Sequence, residues 1–104
     1  MVRTNAKEEL LELFEEYNLS SADVIAFNFR SYLNYKYVPI TKGAILTNEE
    51  LDKLDFAYDR GYCCQELFGE VLFNDGTWLS RGEYDGSEWW DYNIAPTVEE
   101  VLEK

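Results

Sequence analysis

The chain has 104 residues, 21 acidic and 9 basic, no histidine, and a formal net charge of −12. This length suits one compact domain, and 46% hydrophobic with 16% aromatic residues is too apolar for a disordered acidic tail. Without histidine there is no Ser-His or Cys-His catalytic pair and no imidazole metal ligand, and the charge opposes direct binding to nucleic acid or anionic membranes.

Asn5 stands where an N-cap would open a helix, with Glu8 at the third helical position and Thr4 as a competing cap. Ala6, Leu10, Leu13, Phe14 and Tyr17 then recur at helical spacing and predict an amphipathic helix over residues 6–17. Glu8, Glu9, Glu12, Glu15 and Glu16 fill most of the remaining arc. Glu15 and Glu16 in the last turn oppose the helix dipole.

Residues 24–40 are aromatic and β-branched and alternate with period two in places, which predicts one or two strands with a break near residues 31–34. A competing reading caps a helix at Ser20 and runs it to Leu33. Residues 24–46 hold Arg30, Lys36 and Lys42 and no acid. Thr47 and Glu50 make a second capping box, and Leu51, Leu54 and Ala57 or Tyr58 continue a short helix that Gly61 should end.

Residues 62–73, 77–84 and 88–94 predict a three-stranded antiparallel meander, split by Asn74-Asp75-Gly76 and Asp85-Gly86-Ser87. A two-residue turn at Asp75 and Gly76 would pair Phe73 with Trp78, Val71 with Ser80, Gly69 with Gly82 and Leu67 with Tyr84, and set Glu70 opposite Arg81 on the other face. Residues 96–100 open a short acidic C-terminal helix or turn. The fold class expected is α+β, with helices packed on an antiparallel sheet in a single domain spanning 1–104.

Cys63 and Cys64 are adjacent, a spacing poorly suited to a disulfide, and with no histidine they make no ordinary zinc site. Free thiols, no secretory apolar segment after Met1 and no run of membrane-spanning length predict a cytoplasmic protein. No cofactor and no metal is expected. The acids of the meander match no spacing specific to a glycosidase, a Mg²⁺ hydrolase or a calcium loop. Cys63 has no base at hand to activate it.

Charge is the more informative signal. Residues 66–103 carry ten acids against one base, Arg81. Trp89 and Trp90 are neighbours, so on a strand they point to opposite faces. If one face packs on the helices, one of them tends toward solvent as an interface anchor, the alternative being that both faces are covered or that the outward Trp lies over Gly82 or Arg81. The expected contact set is Glu66, Glu70, Glu83, Asp85, Glu88, Trp89, Trp90 and Asp91. The expected partner is a protein with a basic nucleic-acid-binding surface.

The stretches Gln65-Glu66-Leu67-Phe68-Gly69, Phe73-Asn74-Asp75-Gly76-Thr77-Trp78-Leu79 and Arg81-Gly82-Glu83-Tyr84-Asp85-Gly86-Ser87-Glu88-Trp89-Trp90 resemble the C-terminal half of small acidic proteins from bacteria, phages and mobile elements. That group has no assigned activity, so the resemblance carries over no site residue. The whole profile is similar to anti-CRISPR and anti-restriction inhibitors, which implies a non-enzymatic inhibitor whose acidic surface mimics nucleic acid. The alternatives are a cytosolic interaction module without mimicry and, third, a carboxylate-dependent hydrolase.

Overall fold

The computed structural model describes residues 3–33, 35–61 and 64–103. The expectations for Cys63 and its pairing with Cys64, and for a strand beginning at Tyr62, fall on residues outside this set. The chain forms an α+β fold in the order β1 (Arg3–Asn5), α1 (Ala6–Glu16), a 3-10 turn (Ser21–Asp23), β2 (Val24–Leu33), β3 (Lys36–Gly43), α2 (Asn48–Asp52), β4 (Ala57–Asp59), β5 (Leu67–Phe73), β6 (Trp78–Tyr84), β7 (Ser87–Asn93) and α3 (Val98–Leu102). Five antiparallel strands make the main sheet in the order β3-β2-β5-β6-β7, and β1 pairs with β4 in a small second sheet.

Helix α1 forms where its pattern predicts. The Asn5 carboxamide accepts the Glu8 N–H at 3.0 Å, and the first-turn N–H groups of Ala6 and Lys7 donate to the carbonyls of Phe56 and Leu54. Asn18, at φ 56°, ends the helix in a left-handed cap, with Leu19 N–H reaching back to Phe14 O. Ala6, Leu10 and Phe14 are buried against Leu51 and Leu54 and against Phe29, Val71, Phe73 and Leu79 of the sheet. Phe14 meets Phe73 edge to face at 5.7 Å. The core thus lies between α1, α2 and one face of the sheet.

The strand reading of the segment from Val24 holds, and the competing helix capped by Ser20 is reduced to one 3-10 turn. Three other expectations are corrected. Helix α2 ends at Asp52, and Tyr58 belongs to strand β4, paired with Thr4. Strand β5 starts at Leu67, so residues 64–66 are not strand.

The third is a register slip. Glu70 pairs with Ser80, Val71 with Leu79 and Leu72 with Trp78, one residue away from the expected alignment. The connection is a three-residue loop, Asn74-Asp75-Gly76: Phe73 N–H donates to Thr77 O at 2.9 Å and Gly76 N–H to Phe73 O at 3.1 Å. The Asp75 carboxylate accepts both the N–H and the hydroxyl of Thr77, which holds the Asp75 carboxyl below the usual carboxylate range. Only Gly76 takes positive φ (89°), the geometry of a type I turn followed by a bulged glycine. The two-residue turn occurs at the other Asp-Gly instead, where Asp85 and Gly86 have φ 51° and 87°. Because side chains alternate with period two, the slip carries Leu79 and Arg81 to the core face and Trp78 to the outer face opposite Leu72.

A Cβ on Gly76 would meet nothing within 4 Å. Gly76→Ala is therefore expected to cost only the left-handed conformation, about 1 kcal/mol, readable in urea unfolding. An unchanged stability would contradict the bulged turn.

Candidate functional site

The register slip brings together the most chemically loaded cluster in the chain. The Arg81 side chain, 2% exposed, lies at 2.6 Å from Glu88, whose side chain is fully buried, and at 3.6 Å from Glu9 of α1. Arg81 Nη2 also donates to the Tyr58 hydroxyl at 3.0 Å, and Nε to Leu67 O at 3.2 Å. The Tyr58 hydroxyl in turn donates to Glu9 at 2.5 Å. The guanidinium stacks over Trp90 at 4.9 Å. Glu88 accepts the N–H groups of Glu66 and Leu67 at 2.8 and 3.0 Å, which fixes the entry to β5. The network thus ties helix α1, strand β4 and the sheet to one another.

Two carboxylates do converge here, as a hydrolase would require. Both face one guanidinium, and the side chain of Glu88 has no contact with solvent. The arrangement neutralises buried charge and presents no open pair of acids to a substrate. Among the described residues no group of three His, Cys, Asp or Glu is placed to hold a metal ion.

Burial pushes the Tyr58 hydroxyl well above its ordinary pKa of 10.0, with Arg81 opposing the shift. A raised folded value means that the neutral phenol stabilises the fold. That contribution is complete below the unfolded value of about 10 and is lost as pH rises beyond it. Thermal unfolding across the alkaline range should show a falling melting temperature above about pH 10, less steep in Tyr58→Phe. Identical slopes would remove Tyr58 from this role.

The expected contact residues do not share one surface. Glu88 is 2% exposed and Trp90 9%, so both are withdrawn from any partner. They alternate with Trp89 and Asp91, which face outward. Trp89 lies over Gly82, where a Cβ would come within 2.5 Å of its indole nitrogen, and that nitrogen donates to Asp91 at 3.0 Å. Glu70 is exposed on the outer face but makes a bidentate pair with Arg30 at 2.7 and 3.1 Å, in place of the expected partner Arg81. Glu83 accepts the Gly86 N–H at the β6–β7 turn, where Asp85 is exposed. Glu66 accepts the Asp59 N–H at 2.9 Å.

The sheet's outer face is consequently less acidic than expected. Its strands carry Glu70 and Asp91 there, balanced by Arg30 and Lys42. It is rich in aromatics instead: Tyr37 packs edge-on against Phe68 at 5.0 Å and against Tyr32 at 5.1 Å, and Tyr32, Tyr37, Leu72 and Trp89 are all exposed. None of these aromatics but Trp89 is in the expected contact set, although the i, i+2 spacing of Arg30 with Tyr32 and of Tyr37 with Pro39 places them on one strand face.

Acids outside any ion pair with a described residue occur on α1 and on α3, where Glu99 and Glu100 are exposed, with Glu103 just beyond it, and α1 carries the larger group. Glu8, Glu12, Glu15 and Glu16 are exposed and make no ion pair with any described residue. Glu12 and Glu16 line a shallow cleft with Trp89 and Arg60, which places the helix acids beside edge strand β7. Tyr17 stacks on Tyr92 at 4.0 Å and fixes the end of α1 against that strand. No described helix is long and apolar enough to cross a membrane.

Comparison of the chain with protein-family models, with curated proteins and with solved structures finds no match.

Proposed function

We propose that this is a non-enzymatic binding protein that occupies the nucleic-acid site of a basic partner through the acidic surface of α1, an inhibitor of the anti-CRISPR or anti-restriction type acting in the cytoplasm. One observation carries the reading. Four exposed glutamates that form no ion pair with any described residue sit on one short helix, while Glu70 and Asp91 of the sheet's outer face are paired or hydrogen-bonded. Glu8 and Glu16 are separated by about 12 Å along the helix axis. One strand of a duplex advances about 3.4 Å per phosphate and so presents about four charges over that length. The α1 stripe offers four carboxylates over the same distance. Trp89, beside the stripe, supplies an amphipathic anchor at its edge.

The last-turn placement of Glu15 and Glu16 supports the same reading, because it works against helix stability. No basic residue occupies that turn. A surface kept at some cost to the fold is what a binding role would maintain.

The second reading, an interaction module without mimicry, draws on the exposed aromatics of the sheet. The two readings differ in salt response. Binding through α1 should weaken steeply as ionic strength rises, because the attraction is between solvent-exposed charges. Binding through the aromatic face should change little. The immobilised protein, used to capture a basic partner from host lysate and washed with graded salt, reads this directly. Retention of the partner in about 1 M salt, where the Debye length is about 3 Å, would favour the second reading.

A further inference from the structure

We propose that the outer face of the five-stranded sheet is a self-association surface, on which a second copy of this chain packs face to face with its two-fold axis parallel to β5. The helices of the core lie on the other side of the sheet, and no described element covers this one. The chain carries a second uncovered apolar surface: Val98, Val101 and Leu102 recur at helical spacing in α3 and are 75%, 54% and 77% exposed, and Ile94, in the segment leading to the helix, is 70% exposed. Two apolar surfaces of one chain, both without a partner within it, are satisfied together by a second copy.

Charge selects that occupant and its orientation. The protein carries −12 overall, so two copies repel wherever α1 faces α1. The outer sheet face escapes this, since Arg30 and Lys42 balance Glu70 and Asp91. The charges are also sorted across it. Residues 24–46, which hold β2 and β3, contain three bases and no acid, whereas β7 and the segment after it carry Asp91, Glu99, Glu100 and Glu103.

Strand β5 is the central strand. A two-fold axis along it lays β3 of each copy over β7 of the other. The cross-strand register places Lys42, Asn28, Glu70, Ser80 and Asp91 in a single row. In this orientation Lys42 therefore faces Asp91 of the second copy, and α3 emerges beside the second copy's β3 near Lys42. An axis across the strands would set Lys42 on Lys42 instead.

Strand spacing and rise give a face of about 24 Å by 23 Å, about 550 Å² in plan. A standard interface buries about 800 Å² per partner, and the α3 stripe extends the contact toward that size. The apolar rows supply affinity, and the charges set the orientation.

Sedimentation equilibrium of the full chain, from micromolar to submillimolar concentration, tests this. The expected result is reversible association to twice the 12.2 kDa chain mass, tightening as salt rises because two like-charged chains are brought together. That dependence is opposite in sign to the one expected for a basic partner, so failure of either account is read separately. Leu72→Glu should weaken association about tenfold or more, and Tyr37→Lys, at a position 58% exposed, gives a second probe if the first variant fails to fold. Lys42→Glu should weaken association, and adding Asp91→Lys should restore it. A monomer at every concentration and salt, a dimer indifferent to Leu72→Glu and Tyr37→Lys, or no restoration in the charge-swapped pair would overturn the proposal.

Discussion

Replacing Glu12, Glu15 and Glu16 by lysine should slow association with the basic partner by about 10- to 100-fold while leaving the fold intact or slightly more stable. The kinetic loss follows from steering. Long-range attraction raises association rates by factors of that order, and each Glu→Lys change shifts the charge on the docking surface by two units. The effect should fall on the on-rate at low salt and fade as salt is added. The stability expectation comes from the helix dipole: Glu15 and Glu16 oppose the partial negative charge at the C-terminus of α1, and lysines there would complement it. A variant that binds poorly but melts no lower than wild type is difficult to explain by damage to the fold. Biosensor kinetics and thermal melts on the same preparation read both effects. A triple variant that binds at the wild-type rate would remove α1 from the interface.

The largest stability effect is expected at Arg81. Arg81→Met should destabilise the protein by about 3–5 kcal/mol, because it leaves Glu88 charged in a buried site with its ion-pair partner removed. Domains of this kind have about 5–15 kcal/mol in total, so the loss is a large share of it. Adding Glu88→Gln removes the stranded charge while keeping an acceptor for the Glu66 or Leu67 N–H, and should recover part of the deficit. Urea unfolding of the single and double variants gives the coupling. Additive losses would mean that Arg81 and Glu88 act independently. A small effect from Arg81→Met alone would mean that Glu88 finds another counter-charge.

The local features of this fold were legible in the sequence because they depend on neighbouring residues. Asn5 and Thr47 each cap a helix by accepting the N–H three residues on, as their spacing to Glu8 and Glu50 predicts, and Thr97 does the same for Glu100. The alternation of Trp89 and Trp90 foretold one indole inside and one outside.

What depended on register was not legible. The dipeptide Asp-Gly occurs twice, and both copies favour a turn. At Asp75 the side chain is engaged by Thr77, one residue beyond Gly76, and the loop takes three residues. At Asp85 a serine follows Gly86, Glu83 accepts the Gly86 N–H, and the loop takes two. The choice turns on a hydroxyl and a carboxylate whose positions are set only once the strands are built. One residue of slip then decided whether Arg81 would meet Glu70 on the outer face or Glu88 in the core. The same parity made Glu88 and Trp90 structural residues and left Trp89 and Asp91 at the surface. The acids of residues 66–103 could be counted from the sequence, but the pairing of Glu70 with Arg30 and of Glu88 with Arg81 was a long-range matter.

The central claim, that the acidic helix occupies a nucleic-acid site, is tested most directly by competition on the isolated partner. The partner is loaded with a labelled duplex DNA or RNA that it binds, and this protein is titrated in. The account predicts that the nucleic acid is displaced in full, that excess nucleic acid displaces the protein in return, and that the α1 triple variant displaces neither strand type. A stable ternary complex, with nucleic acid and this protein bound to the partner together at its basic channel, would contradict it.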